Sequence, residues 1–386
     1  MKSGRVATVA VRQGIESDTQ YGAVVPPIYL STNYAFADHT TAGEYDYSRS
    51  GNPTRSILGD AIAELEQGST GVVTCTGMAA ITLVTSLLSP EDLLVVPHDC
   101  YGGSYRLFTN LAKKGQFKLL VVDQTDPDAL KQAFAQSPRM VWVETPSNPL
   151  LRVVDLKAVS AQCKAVGALL VADNTFLSPV LQQPLTLGAD IVMHSTTKYI
   201  NGHSDVVGGA VVAKDAELGE QLEWWANTLG LTGGAFDSYL ALRGMRTLSV
   251  RMREHQANAQ KIVALLEASE QVEKVYYPGL ESHPGHQIAA TQQLGFGAML
   301  SFELKGEQPQ LLAFLGALKY FSLAESLGGV ESLVAVPATM THRAMEPEAR
   351  AEAGIKETLL RLSVGIEDAA DLLADIEAGL AAARVA

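Results

Sequence analysis

The feature that most constrains the fold is a regular alternation of short apolar runs with helical segments from about residue 56 to residue 250. The apolar runs are Gly71–Cys75, Leu93–Pro97, Lys118–Asp123, Met140–Thr145, Ala168–Asp173, Asp190–Met193 and Gly209–Ala213. Strands of this kind, joined through helices, are typical of a mostly parallel sheet that is covered on both faces. The sequence therefore predicts an α/β fold with a seven-stranded sheet in a large domain.

The regions on either side of this alternation have a different organisation. Residues 1–55 are rich in turn formers and predict an arm that lies over another surface, such as a neighbouring subunit. After about residue 250 the order of predicted strands and helices changes, which indicates a smaller C-terminal α+β domain. The predicted division is an arm over 1–55, a large domain over 56–250 and a small domain over 251–386.

Composition and motif searches exclude several classes of protein. The formal net charge of −13 argues against nucleic acid or an anionic membrane as a partner. No apolar run approaches the roughly 20 residues that span a bilayer, and no secretory signal is visible. The three cysteines lack disulfide or metal spacing, and there is no P-loop, nucleophile elbow, complete dinucleotide fingerprint or metal-ligand cluster. We expect a cytoplasmic protein without a metal site.

The stretch from Asp190 to Ser204 points most directly to chemistry. Lys198 lies just past a predicted strand, where open α/β sheets present their ligand sites, and Ser195 and Thr197 add two hydroxyls. A Schiff base with pyridoxal 5'-phosphate (PLP) requires such a set, because the amine must reach the aldehyde while the phosphate is held nearby. On Ser-x-Thr-Lys alone, a surface lysine after a strand is the alternative.

Two further side chains follow predicted strand ends. Asp173 ends an apolar strand, where a carboxylate is costly unless paired, and the pyridinium nitrogen of PLP would be a partner. Tyr101 precedes Gly102-Gly103, and its ring could stack on the pyridine while its hydroxyl joins proton transfers. The alternatives are a helix-capping aspartate and a tyrosine at the edge of the core.

Two segments could hold a phosphate. Gly77 and Met78 stand between a predicted strand and a helix, which aims free backbone N–H groups at one point, although a plain turn is the alternative. Tyr47 and Arg49 are two residues apart, so in an extended segment their side chains point the same way. A Tyr-x-Arg pair alone has little specificity.

Charged residues in the C-terminal part could bind an amino-acid substrate. Arg361 interrupts an apolar strand, and its alternation allows either a solvent face or a bidentate pair with a substrate carboxylate. Glu325 and Ser326 follow strand-like Tyr320–Ala324, where an ordinary loop carboxylate is the alternative.

Taken together, these residues resemble the Cys/Met-metabolism family of PLP-dependent enzymes over nearly the whole chain, and most of all its γ-replacing bacterial synthases. The resemblance implies PLP as cofactor, the fold type I (aspartate aminotransferase-like) architecture and a homotetramer built from two active dimers. The matching segments are Tyr47–Arg49, Gly51–Thr54, Thr76–Met78, His98–Arg106, Ser147–Leu150, Asp173–Phe176, Asp190–Ser204, Ala324–Gly329 and Leu360–Ser363.

The resemblance also implies a role for each candidate residue. Lys198 would carry PLP, Asp173 would pair with the pyridine nitrogen, and Tyr101 would stack on the ring. Substrate would be held by Asn148, Ser326 and Arg361, with Glu325 holding the ammonium of the incoming amino acid. The phosphate would be bound by Gly77, Met78, Ser195 and Thr197 of the same chain and by Tyr47 and Arg49 of the neighbouring subunit.

The implied reaction is replacement at Cγ of an O-acylated homoserine, such as O-succinyl-homoserine, by the thiol of cysteine. One departure concerns Ser50, since some close synthases carry a second arginine there that suits a distal carboxylate. The Tyr-Ser-Arg-Ser run also resembles γ-lyases that cleave cystathionine or methionine. A γ-lyase and an acyl-homoserine sulfhydrylase are therefore alternatives, and a non-catalytic PLP-binding scaffold is a remote one.

Overall fold

The centre of the computed structural model, which describes residues 4–343 and 347–386, is a seven-stranded sheet. All seven predicted strands are present, with bounds that differ by no more than one residue from the prediction. The strands are β1 (Thr70–Thr74), β2 (Leu93–Pro97), β3 (Lys118–Val122), β4 (Met140–Glu144), β5 (Leu169–Asp173), β6 (Ile191–His194) and β7 (Gly209–Ala213).

The topology brings the predicted site residues to one edge. The strand order is β1-β7-β6-β5-β4-β2-β3, and only β7 runs antiparallel to its neighbours within this sheet. The carboxyl ends of β1, β2, β4, β5 and β6 therefore meet along one edge of the sheet. The loops that follow these strands form the floor of a cleft.

Helices cover both faces of this sheet, as the apolar strands require. One face packs against α1, α2, α5, α6, α7, α9 and α10, and the other packs against α3, α4 and α8. The helices up to this point are α1 (Val6–Arg12), α2 (Pro53–Glu66), α3 (Gly77–Thr85), α4 (Gly102–Lys113), α5 (Pro127–Phe134), α6 (Leu156–Val166), α7 (Ser178–Leu181), α8 (Ala216–Leu229), α9 (Ala235–Met245) and α10 (Leu248–Glu267). A short 3₁₀ helix covers Pro184–Leu187.

The arm differs from the prediction in two places. Helix α1 was not predicted, and its Val9 and Ala10 are buried in the main core. Helix α2 begins at Pro53, inside the range predicted for the arm, because the side chain of Asn52 accepts from two first-turn N–H groups and proline fits the first helical position. Between these helices the segment has no regular helix or strand apart from isolated bridges.

A second sheet lies in the C-terminal part, in the order β10-β11-β12-β9-β8. Its core is formed with α10, α12 and α14, and Leu360 and Leu362 of β12 point into that core. Strand-like Tyr320–Ala324 is reduced to two strand residues. The remaining elements are β8 (Val272–Tyr276), α11 (His286–Gln292), β9 (Met299–Leu304), α12 (Gln308–Ala317), β10 (Ser322–Leu323), β11 (Leu333–Ala335), α13 (Pro347–Glu352), β12 (Leu359–Ser363) and α14 (Ala369–Val385).

The second sheet is joined to the first at the cleft. Helix α10 places Leu248 and Met252 in the main core and Ile262 and Leu266 in the second core. Ser301 of β9 donates to the carbonyl oxygen of Pro149, 2.7 Å away, in the loop that follows β4. None of the helices in the described ranges is long and apolar enough to cross a membrane.

Candidate active site

A cleft of about 590 Å³ lies where the carboxyl ends of the first sheet meet the second sheet. Its walls come from loops that are far apart in the sequence. The lining includes Gly77, Met78, Tyr101, Asn148, Asp173, Ser195, Thr197, Lys198, Glu325, Ser326 and Arg361. The structure therefore brings together all the predicted site residues except Tyr47 and Arg49.

The start of α3 forms one end of the cleft. Thr76 caps this helix by accepting from the N–H of Ala79, which leaves the N–H groups of Gly77 and Met78 without an intrahelical partner. A Cβ atom on Gly77 would stand only 2.9 Å from Cβ and Oγ of Ser195. Glycine at this position thus lets the helix start approach Ser195 and creates a cradle of N–H and O–H donors for an anion.

Thr197 and Lys198 lie beyond the end of β6. The hydroxyl of Thr197 donates to the carbonyl oxygen of Gly208 (3.2 Å) and accepts from its N–H (3.0 Å), which ties the turn to the start of β7. Nζ of Lys198 donates to Oγ of Ser326 at 2.7 Å. Burial is the main cause that lowers the pKa of Lys198 to about 8, and the nearby charge of Arg361 lowers it further. The charge of Glu325 acts in the opposite direction.

Two carboxyl groups end neighbouring strands at the floor of the cleft. Asp173 of β5 is the register partner of Glu144 of β4. The N–H of Thr175 donates to Oδ1 of Asp173 at 2.9 Å. Burial raises the pKa of Asp173, and hydrogen bonds from Thr175 oppose that change. This carboxyl group is placed to meet a cationic group that enters the cleft.

Tyr101 stands at the start of α4 with 43% of its surface exposed. Its N–H donates to Oε2 of Glu144 at 2.9 Å. A Cβ atom on Gly103 would overlap the Tyr101 ring and lie 2.9 Å from the sulfur of Met78. Glycine at position 103 thus leaves room for the Tyr101 ring beside the cleft.

Arg361 is buried, with an exposed fraction of 3%, so the alternative of a solvent face is wrong. Leu360 and Leu362 pack in the second core, and on the opposite face of β12 Leu359 packs with Leu150, from the loop that follows β4. The guanidinium donates to Oδ1 of Asn148 (3.0 Å) and to the carbonyl oxygen of Ser326 (2.9 Å). Its Nε is buried and has no hydrogen-bond partner among the described residues.

Tyr47 and Arg49 lie outside this chain's own cleft. Arg49 donates to the backbone and side-chain oxygens of Asn227, at 2.8 and 2.6 Å, and stands 5.7 Å from the centre of the Tyr47 ring. Ser50 donates to the carboxylate of Asp46 at 2.8 Å within the same turn. Both candidate residues remain exposed to a partner that approaches this surface.

The cleft residues that were not predicted to belong to it include Glu144, Thr175, Arg106 and Arg343. Glu144 ends a buried apolar strand in the same way as Asp173, and that pattern could have indicated it. Arg106 and Arg343 bring two positive charges to the lining. No local signal in the sequence distinguishes these two arginines from surface arginines.

Comparison with known proteins identifies the family. The model of the Cys/Met metabolism PLP-dependent enzyme family matches residues 7–381. The chain belongs to this family. Cystathionine gamma-synthase of Escherichia coli (strain K12) is 60% identical over 379 residues, which are 98% of each chain. Cystathionine gamma-lyase of Dictyostelium discoideum is 48% identical over 97% of each chain.

Solved structures agree with this family and with the fold type I architecture. A cystathionine gamma synthase from Xanthomonas oryzae pv. oryzae, in complex with cystathionine, superposes with a TM-score of 0.98 at 63% identity, over 99% of each chain. A cystathionine gamma-lyase from Lactobacillus plantarum, complexed with L-serine, gives a TM-score of 0.95 at 43% identity, over 99% of this chain and all of the other.

Members of the Cys/Met metabolism family depend on PLP, and the cleft fits that cofactor. The donor cradle at Gly77 and Ser195 suits a phosphate, and an amine on Lys198 with a lowered pKa suits an aldehyde. The Asp173 carboxyl group at the floor suits a pyridinium nitrogen. The predictions of family, fold class and cofactor are therefore confirmed.

Proposed function

We propose that this enzyme catalyses a γ-replacement in methionine biosynthesis, in which L-cysteine displaces succinate from O-succinyl-homoserine and cystathionine is formed. The main support is the 60% identity to the E. coli synthase over 98% of both chains, compared with 47–49% for several lyases. We also propose the cytoplasm as its location, since Cys75, Cys100 and Cys163 are all free thiols.

The reaction breaks the Cγ–O bond of the acylated homoserine and forms a Cγ–S bond. Succinate leaves with the electron pair of the broken Cγ–O bond. The thiol of cysteine supplies the sulfur and releases its proton. PLP, when bound, supplies an electron sink that makes the C–H groups at Cα and Cβ acidic enough to lose a proton. In our proposal, Gly77, Met78, Ser195 and Thr197 hold its phosphate, while Asp173 pairs with its ring nitrogen and Tyr101 stacks on the ring.

Lys198 is the proposed proton carrier. With a pKa of about 8, about a tenth of its amine is neutral at pH 7, far more than for an ordinary lysine, so it can accept the proton from Cα and later return one. The hydroxyl of Ser326 holds the amine at 2.7 Å and restricts its direction. Tyr101 offers a second hydroxyl for proton transfer on the exposed side of the cleft.

Arg361 is the proposed anchor for the substrate α-carboxylate. It is a buried guanidinium with a free Nε and no acidic partner among the described residues, so an entering carboxylate would supply its missing counter-charge. Asn148 and Ser326 fix the orientation of the guanidinium through the two bonds described above.

The open side of the cleft carries charges that suit the two substrates. Glu325 is exposed in the lining and is proposed to hold the ammonium group of the incoming cysteine. Arg106 and Arg343 are proposed to provide positive charge for the distal carboxylate of a succinyl group. Ser50, which replaces the second arginine of some close synthases, carries no charge for this purpose.

We also propose a homotetramer built from two active dimers, with Tyr47 and Arg49 reaching the phosphate site of the neighbouring subunit. In support, neither residue lines the cleft of its own chain. The arm around them exposes large apolar side chains, including Tyr21 (84%), Leu30 (69%) and Phe36 (52%). A surface of this composition is typical of a subunit interface.

Product analysis tests the proposed reaction. The PLP-loaded enzyme would be given cysteine with O-succinyl-, O-acetyl- or O-phosphohomoserine in separate reactions, and cystathionine alone in another. We expect cystathionine and succinate as the main products, with the highest kcat/KM for the succinyl ester. Release of α-ketobutyrate and cysteine from cystathionine at a higher kcat/KM would instead support a γ-lyase. The Lys198→Ala variant measures the background rate.

A further inference from the structure

Glu144 is a cleft residue for which the proposed reaction provides no role. It ends β4, has an exposed fraction of 6% and lines the cleft between Tyr101 and Asp173. Its Oε2 accepts the backbone N–H of Tyr101 at 2.9 Å. Its Oε1 is buried without a hydrogen-bond partner among the described residues.

The surroundings of Glu144 disfavour a negative charge. Asp173 faces it from β5 as its register partner, and Asp99 faces it from the segment before α4, together with the buried thiol of Cys100. Arg152, the cation near Asp99, donates to that carboxylate at 2.9 Å. Glu144 itself has no ion pair within the part of the chain that the structure describes. A buried carboxylate without a cation is costly.

We infer that Glu144 is an uncharged positioning residue that holds the backbone of Tyr101, and so its ring, over the cofactor site while leaving Asp173 as the anion at this edge. Burial, and then the charge of Asp173, raise the pKa of Glu144 well above its usual range, and the N–H of Tyr101 and the side chain of Trp142 only partly oppose this. Of the two measurements that test this inference, only the kinetic one rests on the proposed function.

Tyr101 is held at the cleft through its backbone N–H. The side chain of Tyr101 makes no capping bond to α4, and its ring is among the exposed aromatic groups of the cleft. The bond from its N–H to Glu144 therefore fixes the backbone from which the ring projects. A neutral carboxylic acid can accept this hydrogen bond without adding a second negative charge next to Asp173. A second charge would compete with Asp173 for the pyridinium nitrogen.

Three variants separate the hydrogen bond from the charge. Glu144→Gln keeps an acceptor oxygen and is neutral at every pH, Glu144→Leu keeps the approximate volume without an acceptor, and Glu144→Asp withdraws the carboxyl group. The first readout is the visible circular dichroism of bound PLP. It reports the environment of the cofactor's pyridine ring and requires no substrate. We expect the Glu144→Gln spectrum to resemble the wild-type spectrum and the Leu and Asp spectra to lose much of their amplitude.

Kinetics provide the second readout. We expect Glu144→Gln to stay within about threefold of the wild-type kcat/KM and Glu144→Leu to fall about tenfold or more, mainly in kcat. Because the group is uncharged in our inference, the pH profiles of wild type and Glu144→Gln should have the same limbs. Combining Glu144→Leu with Tyr101→Ala should cost less than the sum of the two single changes, because the ring that Glu144 positions is already absent from Tyr101→Ala.

Several results would overturn the inference. They are a Glu144→Gln variant as impaired as Glu144→Leu, a wild-type pH limb that Glu144→Gln lacks, or a Glu144→Leu variant with wild-type dichroism. If Glu144→Leu fails to fold, the comparison of wild type with Glu144→Gln still decides on the charge. If no replacement product forms even with wild type, the proposed reaction fails, while the dichroism comparison remains a valid test of Glu144.

Discussion

Nζ of Lys198 lies 2.7 Å from Oγ of Ser326, although 128 residues separate the two in the chain. Ser326 has a positive φ of 89°, which is uncommon for a residue other than glycine, and its carbonyl oxygen accepts from Arg361. One residue thus contacts both Lys198 and Arg361. The proposed proton carrier and the proposed carboxylate anchor are held in fixed relation by this single loop residue.

The pH dependence of cofactor capture follows from the pKa of Lys198. Only the neutral amine attacks an aldehyde, and with a pKa of about 8 the neutral fraction grows as the pH rises through 8. We expect the rate of covalent PLP capture by apoenzyme to increase about tenfold from pH 7 to pH 9 and then to level off. Stopped-flow absorbance would measure this rate, with Lys198→Ala as the non-covalent baseline. A rate that keeps rising to about pH 10.5, as for an ordinary lysine, would contradict the prediction.

Replacing Lys198 with alanine should abolish turnover, with a loss of at least about 10³-fold, because no other amine is predicted to take its place. Borohydride reduction followed by digestion and mass spectrometry should find PLP on the Lys198 peptide of the wild type and on no peptide of the variant. Lys261→Ala, at an exposed position of α10, is the matched control. Substantial activity in Lys198→Ala would remove this residue from the mechanism.

Replacing Asp173 with asparagine should lower kcat by about 10²-fold or more, because the ring nitrogen would lose its counter-charge. The amide oxygen can still accept from Thr175, so the local backbone should be preserved. Steady-state kinetics and PLP affinity would be measured together. Asp155→Asn removes a carboxylate from an exposed helix cap and serves as the control. Kinetics equal to wild type would refute the proposed role of Asp173.

Replacing Arg361 with lysine should reduce kcat/KM by about 10²-fold, with a raised KM for O-succinyl-homoserine. Lysine retains the charge but cannot donate to Asn148 and Ser326 and still offer a fork to a carboxylate. The exposed Arg253→Lys variant controls for a general effect of losing a guanidinium. If KM stays the same in Arg361→Lys, the carboxylate is anchored elsewhere.

A mixing experiment tests whether sites are shared between subunits. Arg49→Ala and Lys198→Ala chains should each be inactive alone, but in a hybrid dimer one site combines an intact Lys198 with an intact Arg49. Random pairing of equal amounts should therefore recover about one quarter of the wild-type activity. Hybrid dimers would be verified by two different affinity tags. No recovery in verified hybrids would count against the proposal.

Local patterns were sufficient to predict the central sheet, and they were less informative elsewhere. The strand Gly209–Ala213 is fully buried and apolar, and its bounds were predicted correctly. Helix α1 has valine at three of its seven positions, which gives little helical preference, and its buried face packs against the main core. Tertiary packing of this kind is not visible in a single segment.

The same distinction applies to the candidate site. Asp173 and Lys198 follow strands of one parallel sheet, so the topology alone predicts that they meet. The orientation of Arg361 depends on what covers the outer face of β12, and the sequence cannot indicate that the cover is a loop of the other sheet. Glu144 was missed although it shares the pattern of Asp173, because the prediction treated it as an ordinary member of a strand.

The residues that line the cleft extend along the chain from Thr76 to Arg361. A fragment that ended near residue 250 would retain the cradle at Gly77 and the amine of Lys198, but it would lose the hydroxyl that orients the amine and the guanidinium that faces it. In our proposal, the first part of the chain supplies the contacts to the coenzyme, and the last third supplies those that select the amino acid.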